Sequence, residues 1–93
     1  MKIWKYHIPI EDEFKLEVPE GTEILCVQTQ YGQPCIWCAV PETEEKEIMT
    51  LRVHGTGHPI NDEEFLYSYD YIGTFQVYNG DFVGHLFRIW TIN

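Results

Sequence analysis

The sequence predicts an all-β domain, a small barrel or sandwich of about seven antiparallel strands with at most one short helical turn. Three observations carry that expectation. Turn signals recur about every eight to twelve residues, the spacing of short strands in such folds. The runs between them alternate apolar and polar side chains with the period of a strand. Asn79-Gly80 lies between two such runs as a hairpin signal, since both residues accept positive φ. A chain of 93 residues has room for one modest core, so residues 1–93 read as one β domain.

The elements follow in order. Lys2 to Ile8 places Trp4, Tyr6 and Ile8 on one face and Ile3, Lys5 and His7 on the other. Pro9 then ends the run or confines it to an edge. Phe14, Leu16 and Val18 alternate with Lys15 and Glu17, a half-buried strand closed by Pro19-Glu20-Gly21. Glu23 to Tyr31 and Pro34 to Val40 form the strongest core pair, with Gly32-Gln33 as its hairpin turn. Ile24-Leu25-Cys26-Val27 is apolar on both faces, as a central strand would be. Pro41 to Glu47, rich in glutamate, reads as a solvated loop. Met49, Leu51 and Val53 alternate with Thr50, Arg52 and His54 in the next strand. Asn61 with Glu64 three residues on resembles an N-cap pattern, which predicts a helical turn over Asp62 to Leu66. Tyr71 to Tyr78 and Phe82 to Trp90 supply the last two strands.

Charge removes several classes of function. Fifteen acidic side chains against six basic ones leave a formal charge of −9. Phosphate neutralisation needs clustered Lys and Arg, so non-specific nucleic-acid binding and anionic membrane binding are not expected. No apolar run approaches the roughly 20 residues that span a bilayer. The N-terminal apolar stretch is broken by Lys5, His7 and Pro9, so it is not a signal peptide. Three cysteines, Cys26, Cys35 and Cys38, are an odd set for a disulfide framework. Reduced thiols and a cytoplasmic location are the simpler reading.

Cys35-x2-Cys38 and His54-x3-His58 match the spacing of a Cys2His2 zinc site. The expected local structure argues against it. Two cysteines three apart on a strand point to opposite faces, and Gly55-Thr56-Gly57 followed by Pro59 cannot supply a helix for the histidines. No metal and no cofactor are therefore expected. Gly55-Thr56-Gly57-His58 is the more informative segment. Its glycines let backbone N–H groups converge on one anion, Thr56 adds a hydroxyl, and His58 adds a ring donor or stacking surface. Arg52 lies just upstream on the strand face of His54. The competing reading is a glycine-permitted turn with Pro59 fixing its exit. Among the abundant aromatics, Tyr31 and Tyr67 are best placed to stack on a ring, and Gln76 and Asn61 to read polar edges. Dispersed histidines, strand-borne thiols and a single serine, Ser68, give no catalytic constellation, so an enzyme is not expected.

The strings IWKYHIPI, VQTQYGQPCIW, HGTGHPIND and YIGTFQVYNGDFVGHLF resemble a family of short proteins common in phages and prophages, described only as a domain of unknown function. The resemblance covers nearly the whole chain. It implies a phage context, in which small proteins act against host defence by binding a host protein or sequestering a nucleotide signal. The leading expectation is a non-enzymatic protein, a homo-oligomer, that holds a small nucleotide-derived ligand through Arg52, Gly55, Thr56, Gly57, His58, Tyr31, Asn61 and Gln76. Two rivals remain. One is an acidic module that faces a basic host protein with Glu11 to Glu13 and Glu42, Glu44, Glu45 and Glu47. The other is a minor virion component.

Overall fold

The computed structural model describes residues 1–61 and 68–90. The helical turn expected over Asp62 to Leu66, and Tyr67, lie outside the described residues. Seven strands run through the described chain: β1 (Lys2–His7), β2 (Glu13–Pro19), β3 (Glu23–Gln30), β4 (Gln33–Val40), β5 (Lys46–Gly55), β6 (Tyr69–Val77) and β7 (Phe82–Ile89). All pairings are antiparallel. They make two sheets, ordered β1-β4-β3 and β2-β5-β7-β6. Cα extents of 39 × 35 × 16 Å fit two stacked layers. The all-β expectation holds, and its sandwich form is the one adopted. No helix among the described residues is long and apolar enough to cross a membrane.

The core lies between the sheets, where strand alternation points one side chain in two. Met49, Leu51 and Val53 of β5 face inward with Phe14 and Val18 of β2, Ile36, Cys38 and Val40 of β4, and Leu86 of β7. Thr50, Arg52 and His54 therefore face the other way, as the alternation predicts. Gly84 of β7 is a fixed point in this packing. A Cβ there would meet Phe75 Cζ at 2.5 Å and Phe82 Cε2 at 3.0 Å. Gly84→Ala is expected to cost about 1–3 kcal/mol through overpacking, read as a lower urea midpoint with an unchanged slope.

Three details differ from the sequence reading. β3 is an edge strand of its sheet, and β4 is the central one. β3 runs beside β6 of the other sheet, where Thr29 Oγ1 donates to the Gln76 carbonyl at 2.7 Å, and of its apolar run only Val27 is buried. A bulge between Ile24 and Cys26 turns Leu25 out to solvent. The β3–β4 turn is centred one residue earlier than expected: Tyr31 (φ 52) and Gly32 (φ 78) sit between the closing pair Gln30 and Gln33. In the β6–β7 turn, Tyr78 joins Asn79 and Gly80 at positive φ.

Cys35 and Cys38 do point to opposite faces of β4. Cys38 lies in the core, while Cys35 Sγ is 3.5 Å from His7 Nδ1 across the β1–β4 ladder. His54 is on the other sheet, so the four zinc-spaced residues do not converge. Burial, with Cys26 nearby, pushes the Cys38 thiol up to about 11.

Candidate functional site

The site follows from the register of the four-stranded sheet. Glu13, Arg52, Phe87 and Tyr71 lie opposite one another across β2, β5, β7 and β6. One step along, His54, His85 and Thr74 form a second row. Opposed residues share a face, and both rows alternate with core residues such as Leu51, Val53 and Leu86. They therefore occupy the outer face of the sheet.

Aromatic rings make its floor. Phe87 has ring centroids of His54, Tyr69 and Tyr71 at 5.6, 5.6 and 5.4 Å. Phe87 is only 5% exposed although it lies on the outward face. Arg52 stands beside this floor. Its Nε and Nη2 donate to Glu13 Oε1 at 3.2 and 2.8 Å, and its Nη1 donates to the Tyr69 hydroxyl. Burial works against its charge, but the Glu13 and Tyr69 hydrogen bonds prevail and raise its pKa.

The segment after β5 closes the upper side. His58 N–H donates to the Gly55 carbonyl at 3.0 Å, and Gly57 takes φ 89 at the third position of that turn. Thr56 N–H donates to the Val83 carbonyl at 3.3 Å. Two loop amides, those of Thr56 and His58, are thus committed within the protein. The His58 ring folds back on Gly55, where a Cβ would meet His58 Cε1 at 2.8 Å. Thr56 Oγ1 pairs with His85 Nε2 at 2.7 Å, and His85 Nδ1 pairs with Thr74 Oγ1 at 2.9 Å. The Tyr71 hydroxyl extends that chain to Thr74. Both ring nitrogens of His85 are thus satisfied on the outer face of the sheet.

Two adjoining clefts result. One of about 520 Å3 is lined by Asp12, Glu13, Arg52, Val53, His54, His58 and Pro59. Another of about 310 Å3 runs over Gly55 to His58, Ile60, Tyr71, Thr74, His85 and Phe87. His54 and His58 line both. Each is within the size range of small-molecule sites. Burial, then the positive charge of Arg52, lowers the His54 pKa, and its Nε2 is buried with no partner among the described residues.

A pH prediction follows from His54. A histidine depressed in the folded state has its full share of stability above its unfolded pKa of about 6.5 and loses it as pH falls through the folded value. His54→Gln is expected to flatten that acid limb in thermal melts between about pH 7 and 5.

Arg52, Gly55, Thr56, Gly57 and His58 come together as expected. Asn61 is exposed and follows Ile60 of the cleft wall. Gln76 shares the outer face with Thr74, but its side chain approaches Gly80 at the β6–β7 turn. Tyr31 is 96% exposed at the β3–β4 turn of the other sheet, away from the clefts. Sequence reasoning missed Tyr71, Thr74, His85 and Phe87 as site residues. Their signal was parity with Arg52 and His54, which needs the β5–β7–β6 register to read.

The geometry defines a two-sheet antiparallel sandwich whose clefts lie outside one sheet, beside the loop that leaves its longest strand. The chain belongs to the family described as a domain of unknown function, DUF7352, whose family model matches residues 1–91. No curated protein and no solved structure matches it.

Proposed function

We propose that this is a non-enzymatic binding protein that sequesters a small nucleotide-derived ligand on the outer face of the four-stranded sheet. The observation that carries the reading is the pair of clefts sharing His54 and His58, with Arg52 on one side and the Phe87–Tyr71 floor on the other. A planar base stacks on the aromatic side, where π faces give sequence-tolerant contact. Phosphate is held by Arg52, His58 and the Thr56 hydroxyl, because the Thr56 and His58 amides serve the fold. Asp12 and Glu13 at the rim favour a ligand with few phosphates and with hydroxyl or amino donors.

The sequence resemblance to short phage and prophage proteins supports a counter-defence setting in a host cytoplasm, with the ligand an immune nucleotide. A second protomer covers the open side of the clefts in this reading, and native mass spectrometry reads that state directly. The rival acidic module is weakened by two ion pairs, Glu13 with Arg52 and Glu47 with Arg88, which take two of its carboxylates out of play.

Calorimetry of the full chain against cyclic dinucleotides and ADP-ribose derivatives tests the proposal. Saturable binding to one of them, weakened in Thr56→Ala and His58→Ala, is expected. No binding across the panel, or affinity unchanged in both variants, would overturn it. Recovery of the nucleotide intact after incubation is expected, and turnover would remove the non-enzymatic part.

A further inference from the structure

Where the β3–β4 and β6–β7 turns meet, a cleft of about 490 Å3 is lined by Ile8, Ile10, Gly32, Gln33, Pro34 and Tyr78. It draws on both sheets and shares no lining residue with the outer-face clefts, so it stands apart from the nucleotide reading. The hydrogen bond from Thr29 to the Gln76 carbonyl ties the two turns together, two residues before Tyr31 and Tyr78 respectively. Tyr31 adjoins the cleft wall at Gly32.

The two tyrosines are the unusual residues of this end. Both have positive φ, 52 for Tyr31 and 55 for Tyr78. Turns fill that backbone region with glycine or asparagine, and it is strained for a bulky side chain. The core gains little in return, because Tyr31 is 96% and Tyr78 66% exposed. Strain held twice, on neighbouring turns and at exposed rings, marks a surface that meets a ligand.

The lining sets the charge of that ligand. None of its six residues is charged at neutral pH, in a chain with fifteen acidic and six basic side chains. A phosphate, carboxylate or ammonium group would be desolvated there without a counter-charge. The edge offers rings and neutral amides instead. Gln33 and Asn79 are exposed, and each side chain carries a donor and an acceptor side by side.

We infer that this end of the sandwich is a second binding site, for a neutral oligosaccharide of pyranose rings. The C–H faces of the sugar rings stack on Tyr31 and Tyr78, whose π faces are negative. Neighbouring hydroxyls, each donor and acceptor at once, pair with the Gln33 and Asn79 amides. Ile8, Ile10 and Pro34 supply the apolar wall. A proline-rich peptide also stacks on tyrosine, but its carbonyls only accept and leave the amide oxygens of Gln33 and Asn79 unmet.

Nitrogen-labelled NMR of the full chain tests this with maltohexaose, cellohexaose and chitohexaose, set against decaproline. At least one hexasaccharide is expected to move the Gly32, Gln33 and Asn79 amide signals saturably at about millimolar concentration, and decaproline is not. Tyr31→Asn and Tyr78→Asn are each expected to weaken that binding about tenfold. Asparagine accepts the positive φ, so the urea midpoint of each variant is expected to equal or exceed that of the parent. Leu25→Ala, exposed near the other end of β3, is expected to leave binding unchanged. No saturable shift with any hexasaccharide, an equal response to decaproline, or affinity unchanged in either tyrosine variant would overturn the inference. So would a lowered midpoint in either, since the ring would then serve the fold.

Discussion

Leu51→Ala is expected to remove about 2–5 kcal/mol of folding stability. Leu51 is fully buried at the middle of β5, between Phe14 of β2 and the β7 strand. Truncation removes apolar surface from the core and leaves a void that rigid neighbouring strands cannot close. A domain of this size has a total stability of about 5–15 kcal/mol, so the variant stands near the edge of folding at 37 °C. Leu25→Ala is the control. Leu25 is 52% exposed at the β3 bulge, and its loss is expected to stay within about 0.5 kcal/mol. Urea melts of the two variants measure the contrast, with equal slopes and separated midpoints.

Arg52→Met is expected to do the reverse: little to stability, much to binding. Arg52 is part-exposed, with side-chain exposure of 32%, and its Glu13 ion pair is worth at most about 1 kcal/mol at such a position. For a nucleotide held on the outer face, Arg52 is the one guanidinium in the two clefts. Its removal is expected to cost about 2–4 kcal/mol of binding, roughly 30- to 1,000-fold in Kd. Calorimetry on the folded variant reads this directly. An affinity within about threefold of the parent would mean that the phosphate lies elsewhere. Lowering the pH works in the opposite direction. Protonation of His54, disfavoured by burial and by Arg52, is favoured by a bound anion, so affinity is expected to rise as pH falls.

Much of the architecture was legible residue by residue. Alternation along Met49 to His54 assigned inward and outward side chains correctly, because the period of a strand is a local property of the backbone. Gly-bearing turns fell within a residue of their positions, since positive φ is also a local demand. The β3 strand misled for an informative reason. Ile24 to Val27 is apolar on both faces, yet Leu25 is turned out to solvent at the bulge and only Val27 is buried. Pattern records what a strand carries, and not what comes to cover it.

The same distinction runs through the cleft residues. Arg52 and Gly55 to His58 are neighbours in sequence, so their convergence could be anticipated from one segment. Phe87, His85, Thr74 and Tyr71 join them only through the β5–β7–β6 ladder, and Gly32 and Tyr78 line one cleft only where the turns of the two sheets come together. Strand positions, facing and the all-β class follow from local preferences and a period of two, which act within a few residues. Partner choice, register and inter-sheet adjacency follow from packing between segments tens of residues apart, whose free energy exists only once the core has closed.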